Sequence, residues 1–235
     1  MRQRIVTLGG GGFSMESTPV LDDFILSLSR SPTRPRVCFV PTASGDSAGY
    51  VSRFRAAFPP TRAEASVLEL FDRSILDIPA FLASQDVIYV GGGSTPNLLA
   101  VWRLHGVDTA ILQALDEGVV LAGVSAGLNC WFEASLTDAF AGLSPLRDGL
   151  GVLPGSGCPH YHDGYRNEYL RLVAAGVLPA GYAVDDSCAL LFEDGKLADA
   201  IASVPMADAY RVQATADGVI ERPIDVRLLS PFDTV

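Results

Sequence analysis

The sequence predicts an α/β protein built on a doubly wound, mostly parallel sheet, with antiparallel hairpins toward the C-terminus. Three observations carry that expectation. Short apolar, β-rich runs alternate with helical stretches from Ile5 to Ser125. Gly9–Gly12, Gly91–Gly93 and the turn around Ser125 each follow such a run, as loops at the carboxyl edge of a parallel sheet do. Asp194-Gly195 and Asp217-Gly218 sit between strand-like runs and read as hairpin turns.

Taken in order, Ile5-Val6-Thr7-Leu8 is the first strand and Gly9–Gly12 its exit. A helix is expected over roughly Thr18 to Arg30, with Leu21, Phe24, Ile25 and Leu28 on one face. Ser31–Pro35 connects it to a second buried strand, Val37–Ala43, closed by Pro41. Ser47–Phe58 reads as helix, stopped by Pro59-Pro60. Val67–Leu70 is the expected third strand, Ile78–Ser84 a short helix and Val87–Val90 the fourth strand. Gly91–Gly93 then leads into a helix that Ser94 or Thr95 caps and Pro96 starts. Helix fills 96–117 with a break at Gly106, and the strand over 119–124 runs into Ser125. Beyond Trp131 the texture changes. Glu133–Leu150 reads as loop, Gly151-Val152-Leu153 as a strand, 164–175 as helix and Tyr182–Phe192 as two short strands. No linker or repeat interrupts the chain, so 1–235 is expected to form a single domain.

Composition narrows the function classes. Nearly half of the 235 residues are hydrophobic, enough for a sizeable core, and the formal net charge is −10. With no basic patch, neither nucleic acid nor an anionic membrane is an expected partner. The four cysteines, Cys38, Cys130, Cys158 and Cys188, are widely and irregularly spaced, so no zinc site or disulfide framework is expected. Cys38 and Cys130 read as buried thiols, and a reducing compartment fits them. The N-terminus reaches glycines too early for a signal peptide, and the apolar stretch 119–132 is too short and interrupted to span a bilayer. The expectation is a cytoplasmic protein. Gly9–Gly12 lacks the Lys of a P-loop and the spacing of a dinucleotide fingerprint, and is read as a strand-to-helix turn near a site.

The chemistry centres on Gly123-Val124-Ser125-Ala126-Gly127. A Gly-x-Ser-x-Gly pattern between strand and helix permits a sharp turn that lifts the Ser hydroxyl to the sheet edge. The free N–H groups of the helix behind it face the same spot and suit an oxyanion. Such a hydroxyl needs a base. Of three histidines, His105 lies at a helix end, whereas His160 and His162 lie in a loop where Pro159 restricts the backbone. The base in turn needs an acid, for which Asp138, Asp163, Asp185 and Asp186 are candidates. Asp138 gives the chain order Ser, Asp, His; Asp186 gives Ser, His, Asp.

Gly91-Gly92-Gly93-Ser94-Thr95, Gly123–Gly127 and Pro159-His160-Tyr161, in this order and spacing, resemble the dipeptidase E (aspartyl dipeptidase) family of serine peptidases and its cyanophycinase relatives. Trp131-Phe132-Glu133 and Thr137-Asp138 resemble segments of its dipeptidase E-like members, and the similarity runs from Val6 to about Phe192. The resemblance implies a class I glutamine amidotransferase-like (flavodoxin-like) sheet with Ser in place of the Cys nucleophile. It implies Ser125 as nucleophile, His160 rather than His162 as base, and backbone N–H groups of Gly92 and Ala126 as the oxyanion hole. The family's third member is usually Glu. The matching segment here is Val184-Asp185-Asp186-Ser187, so Asp186 takes the role one methylene shorter, with Asp138 as fallback. Arg166 is the nearest match to the Arg that holds an N-terminal Asp carboxylate. The expected activity is hydrolysis of dipeptides or short peptides from the N-terminal end through an acyl-enzyme, in a homodimer, without metal or organic cofactor. Two alternatives stay open: the same chemistry on cyanophycin, a β-aspartyl peptide or an ester, and a non-catalytic binding protein of the same fold.

Overall fold

The computed structural model describes residues 2–16, 20–31 and 33–230. Its first half alternates as expected: β1 (Arg4–Leu8), α1 (Val20–Ser27), β2 (Arg36–Val40), α2 (Ala48–Ala57), β3 (Glu64–Val67), α3 (Ile78–Ala83), β4 (Val87–Val90), α4 (Thr95–His105), α5 (Val107–Asp116) and β5 (Val120–Val124). Thr18, where the first helix was expected to begin, lies outside the described residues. The second half holds α6 (Ala126–Asn129), β6 (Phe132–Thr137), β7 (Ser144–Leu146), β8 (Leu153–Cys158), α7 (Asp163–Ala174), β9 (Gly181–Val184), β10 (Cys188–Glu193), β11 (Lys196–Ala202), β12 (Ala209–Thr215), β13 (Gly218–Pro223) and β14 (Arg227–Leu228).

Local chemistry accounts for several boundaries. The Asp77 side chain caps α3 by accepting from Ala80 N–H at 3.0 Å, and Pro sits in the first turn. Ser94 caps α4 in the same way through Asn97 N–H. Gly106, at φ 70°, takes the left-handed conformation that ends α4 and admits α5.

The strands form two sheets. The larger runs β14-β11-β10-β1-β5-β4-β2-β3. Its β1, β5, β4, β2 and β3 are parallel neighbours, and β10 and β11 join antiparallel. The smaller runs β13-β12-β9-β8-β6-β7. Asp194-Gly195 and Asp217-Gly218 do turn hairpins, β10–β11 and β12–β13. One core on the larger sheet packs Leu21, Phe24, Phe39 and Phe54 beneath α1 and α2. A second spans both sheets, joining Trp102, Ile111 and Leu121 to Phe132, Leu153 and Val184. A third packs Tyr169 and Leu172 of α7 on Leu136 and Val212.

Two expectations are corrected. The third strand lies at Glu64–Val67 and not at 67–70. It is an edge strand with exposed Glu64 and Ala65, so it lacks the apolar run that marks a buried one, whereas Leu68 and Leu70 are buried beyond its end. The stretch 133–150 is not loop throughout: β6 and β7 lie in it. Ser135 and Thr137 are buried in β6, and that polar content hid the strand. The C-terminal third is thus half of a second sheet and not only an appendage of the first.

Candidate active site

Ser125 follows β5 at the carboxyl edge, with φ 56° and ψ −108°. A β-strand cannot continue through that conformation, which turns the chain directly into α6. Ser125 N–H donates to Leu8 carbonyl at 3.1 Å, fixing the turn to the neighbouring strand β1. The flanking glycines are required by space. A Cβ on Gly123 would lie 2.2 Å from Gly127 carbonyl oxygen, and one on Gly127 would lie 2.4 Å from Val90 carbonyl oxygen. Close packing of α6 against β4 and β5 therefore sets where the hydroxyl stands.

His160 sits just past β8, held at φ 50° after Pro159. Tyr161 N–H donates to Val184 carbonyl at 3.2 Å, which ties this loop to the end of β9. The imidazole Nε2 lies 2.9 Å from Ser125 Oγ. Its Nδ1 lies 2.5 Å from Asp186 Oδ1. The bond to His160 holds the Asp186 carboxyl below the usual carboxylate range, against partial burial that works the other way. Asp186 occupies the β9–β10 turn, bridged to Gly10 beyond β1. Ser187 N–H donates to Gly10 carbonyl at 3.1 Å. A Cβ on Gly10 would fall 2.0 Å from Asp186 Oδ1 and 3.2 Å from His160 Cε1. The bare backbone at position 10 is the space in which the carboxylate reaches the imidazole.

The two expected oxyanion donors differ. Ala126 opens α6, so its N–H has no acceptor within the helix. Gly92 backs directly onto the serine, with an added Cβ 3.4 Å from Ser125 Cβ. Its N–H, however, donates to the Tyr50 hydroxyl at 3.3 Å.

A model of peptidase family S51 matches residues 5–199. The chain is 44% identical over 231 residues to the uncharacterized peptidase YgaJ of Bacillus subtilis (strain 168), across 97% of this chain and 99% of that protein. The chain belongs to peptidase family S51. It is a serine peptidase of that family, in keeping with its resemblance to dipeptidase E. It is also 31% identical over 134 residues to peptidase E of Streptomyces coelicolor (strain ATCC BAA-471 / A3(2) / M145), across 56% of this chain and 54% of that one. The crystal structure of a peptidase from an acI-B1 Actinobacterium superposes with a TM-score of 0.69 at 17% identity, over 96% of this chain and 95% of that one, and so shares the fold.

The remaining expected residues of this S51 chain lie around the Ser125–His160–Asp186 line. His162 precedes α7 and meets the Tyr165 ring at 5.7 Å. The same ring stands edge-on to His160 at 5.9 Å. Asp138 faces the Tyr165 hydroxyl, so the carboxylate on the imidazole is that of Asp186 and not Asp138. Arg166 Nη2 binds Glu221 Oε2 at 2.7 Å, and its guanidinium lies 5.8 Å from the Tyr161 and Tyr210 ring centroids. A cavity of about 270 Å³ opens beside Asp186, lined by Tyr161, His162, Asp185 and the 204–207 loop. Burial raises the pKa of Asp185, whose Oδ1 is buried and has no hydrogen-bond partner among the described residues. Among the described residues no group of His, Cys, Asp and Glu is placed to hold a metal ion, and no helix is long and apolar enough to cross a membrane. Sequence reasoning missed Tyr50, Tyr165 and the role of Gly10. The only local sign of the last was the glycine run itself.

Proposed function

We propose that this S51 peptidase hydrolyses dipeptides or short peptides from the N-terminal end through an acyl-enzyme on Ser125. The observation that carries the reading is the 2.9 Å approach of His160 Nε2 to Ser125 Oγ. His160 takes the Ser125 proton as the hydroxyl attacks the scissile carbonyl, then returns it to the leaving amine. Asp186 holds the ring so that Nδ1 carries the other proton, and stabilises the imidazolium that forms. Ala126 and Gly92 N–H groups receive the oxyanion, and loss of one such donor typically costs about a hundred- to a thousand-fold in rate. Water then releases the acyl group.

A preference for N-terminal Asp rests on Arg166. In that reading Arg166 exchanges Glu221 for the substrate carboxylate, a swap of one charged pair for another. The test has two parts. A fluorophosphonate probe should label the wild-type protein and leave Ser125→Ala unlabelled with its fold intact; equal labelling of both removes Ser125 as nucleophile. A panel of Asp-Xaa dipeptides, other dipeptides, cyanophycin dipeptide and p-nitrophenyl esters then ranks the substrate class. Turnover of esters alone would overturn the peptide reading.

A further inference from the structure

We propose that Tyr50 is a positioning residue that caps one arm of the oxyanion hole at rest and yields it only to a charged oxygen. This rests on the assignment of Ser125 as nucleophile. The Gly92 residue packs against Ser125, with an added Cβ 3.8 Å from Ser125 Oγ, and its N–H donates to the Tyr50 hydroxyl at 3.3 Å. One N–H gives one strong hydrogen bond, so a substrate oxygen and the phenol compete for it.

The geometry says which partner moves. Tyr50 is 7% exposed. Its ring lies between Phe13 and Phe39, at centroid distances of 5.5 and 5.0 Å. Gly91 presses on it so closely that a Cβ there would stand 3.0 Å from the ring. The phenol therefore stays where it is. The Gly91-Gly92-Gly93 backbone carries no side chains, and Gly93 already sits at φ 136°, which glycine alone adopts easily. Exchange occurs by a small rotation of the peptide ahead of Gly92.

The competition discriminates between states. Burial keeps the Tyr50 hydroxyl a neutral phenol, its pKa raised from the ordinary value. A peptide carbonyl is a better acceptor than a phenol oxygen, but the resting bond is already made and the carbonyl must supply the cost of rotating the peptide to displace it. A developing oxyanion is about twice as strong, because its bond is charge-assisted. The N–H thus leaves Tyr50 late, as charge builds, and its full interaction is reserved for the transition state. At rest the same N–H is not left buried and unpaired, which would be costly.

Tyr50→Phe tests this, since it deletes the competing oxygen and keeps the packed ring. The rate of acylation by the fluorophosphonate probe is expected to rise by about five- to tenfold, the weight of one neutral hydrogen bond. Affinity for a peptide boronic acid, whose adduct places an oxyanion in the hole, should tighten by the same factor. In ¹⁵N-glycine-labelled wild-type protein the Gly92 amide proton should shift on boronate binding. A rate in Tyr50→Phe that is unchanged overturns the proposal. A lowered rate also overturns it, because Tyr50 would then be a donor to the oxyanion. If wild type itself is not labelled at Ser125, the nucleophile assignment fails and this inference falls with it; labelled wild type with an unaltered variant sinks this inference alone.

Discussion

Asp22 is a carboxyl group that folding should resist. It lies in the first turn of α1, fully buried, and among the described residues only the Arg62 charge and the Tyr89 hydroxyl favour its ionised form. A Cβ on Gly12 would touch both Tyr89 Oη and Asp22 Oδ1, so these polar atoms crowd one spot under the first glycine loop. Burial raises its pKa from the ordinary 3.8 to about 7, with Arg62 and Tyr89 pulling partly back. The sign follows from proton linkage. Below about pH 4 the group is protonated in both states. Above that the unfolded chain releases the proton while the folded protein keeps it, so stability falls as pH rises, and the loss levels off above about pH 7. At about 1.4 kcal/mol per pH unit the full effect is about 4 kcal/mol, of which about 2 kcal/mol falls between about pH 5.5 and 8.5. Asp22→Asn keeps the shape of the neutral acid and cannot titrate. Thermal unfolding of both proteins across that range should show the variant gaining on wild type by about 4–8 °C toward alkaline pH. Parallel melting curves at every pH would refute a titrating carboxyl at this position.

The remaining predictions concern the line through His160. Asp186→Asn should preserve the fold and reduce kcat by about a thousand-fold or more, since the amide can hold the imidazole in the wrong tautomer; steady-state kinetics on whichever dipeptide the panel selects checks this. Gly10→Ala should push the Asp186 carboxyl off His160, because the nearest atom to the new methyl is the end of that side chain. A kcat loss of about a hundred-fold is expected, with little change in KM or melting temperature; unaltered kcat would show that the contact does not position the acid.

The legible parts of the fold were those whose physics is local. Strands β1, β2, β4 and β5 are buried on both faces and read as continuous apolar runs. Gly106 and the Asp-Gly turns were visible because each sets a backbone conformation by itself. The edge strand β3 was hidden because pairing with β2, and not its own apolar content, makes it a strand, and β6 because its buried Phe132, Ala134 and Leu136 alternate with polar residues and form no continuous apolar run. At the site, Ser125 announced itself through the glycines on either side, which the close approach of α6 to β4 demands. The loop histidines and the four candidate acids stayed ambiguous from spacing alone. Which of them meet depends on β10 lying against β1, a pairing between residues about 185 apart in sequence.

That pairing also explains how an Asp reaches the imidazole from the segment where the resembling family usually has Glu. The reach of a triad acid is set by side-chain length and by how near its backbone comes to the imidazole. Here the backbone of Asp186 is drawn in by its bridge to Gly10 and by the Ser187 N–H bond to the Gly10 carbonyl. Gly10 then offers no side chain to hold the two strands' contents apart. The missing methylene at position 186 and the missing Cβ at position 10 are thus two halves of one arrangement. Lengthening the acid alone would crowd the 2.5 Å contact with Nδ1, and adding a methyl at position 10 alone would displace it. The identity of the acid and the glycine facing it are constrained together, which no reading of either segment in isolation reveals.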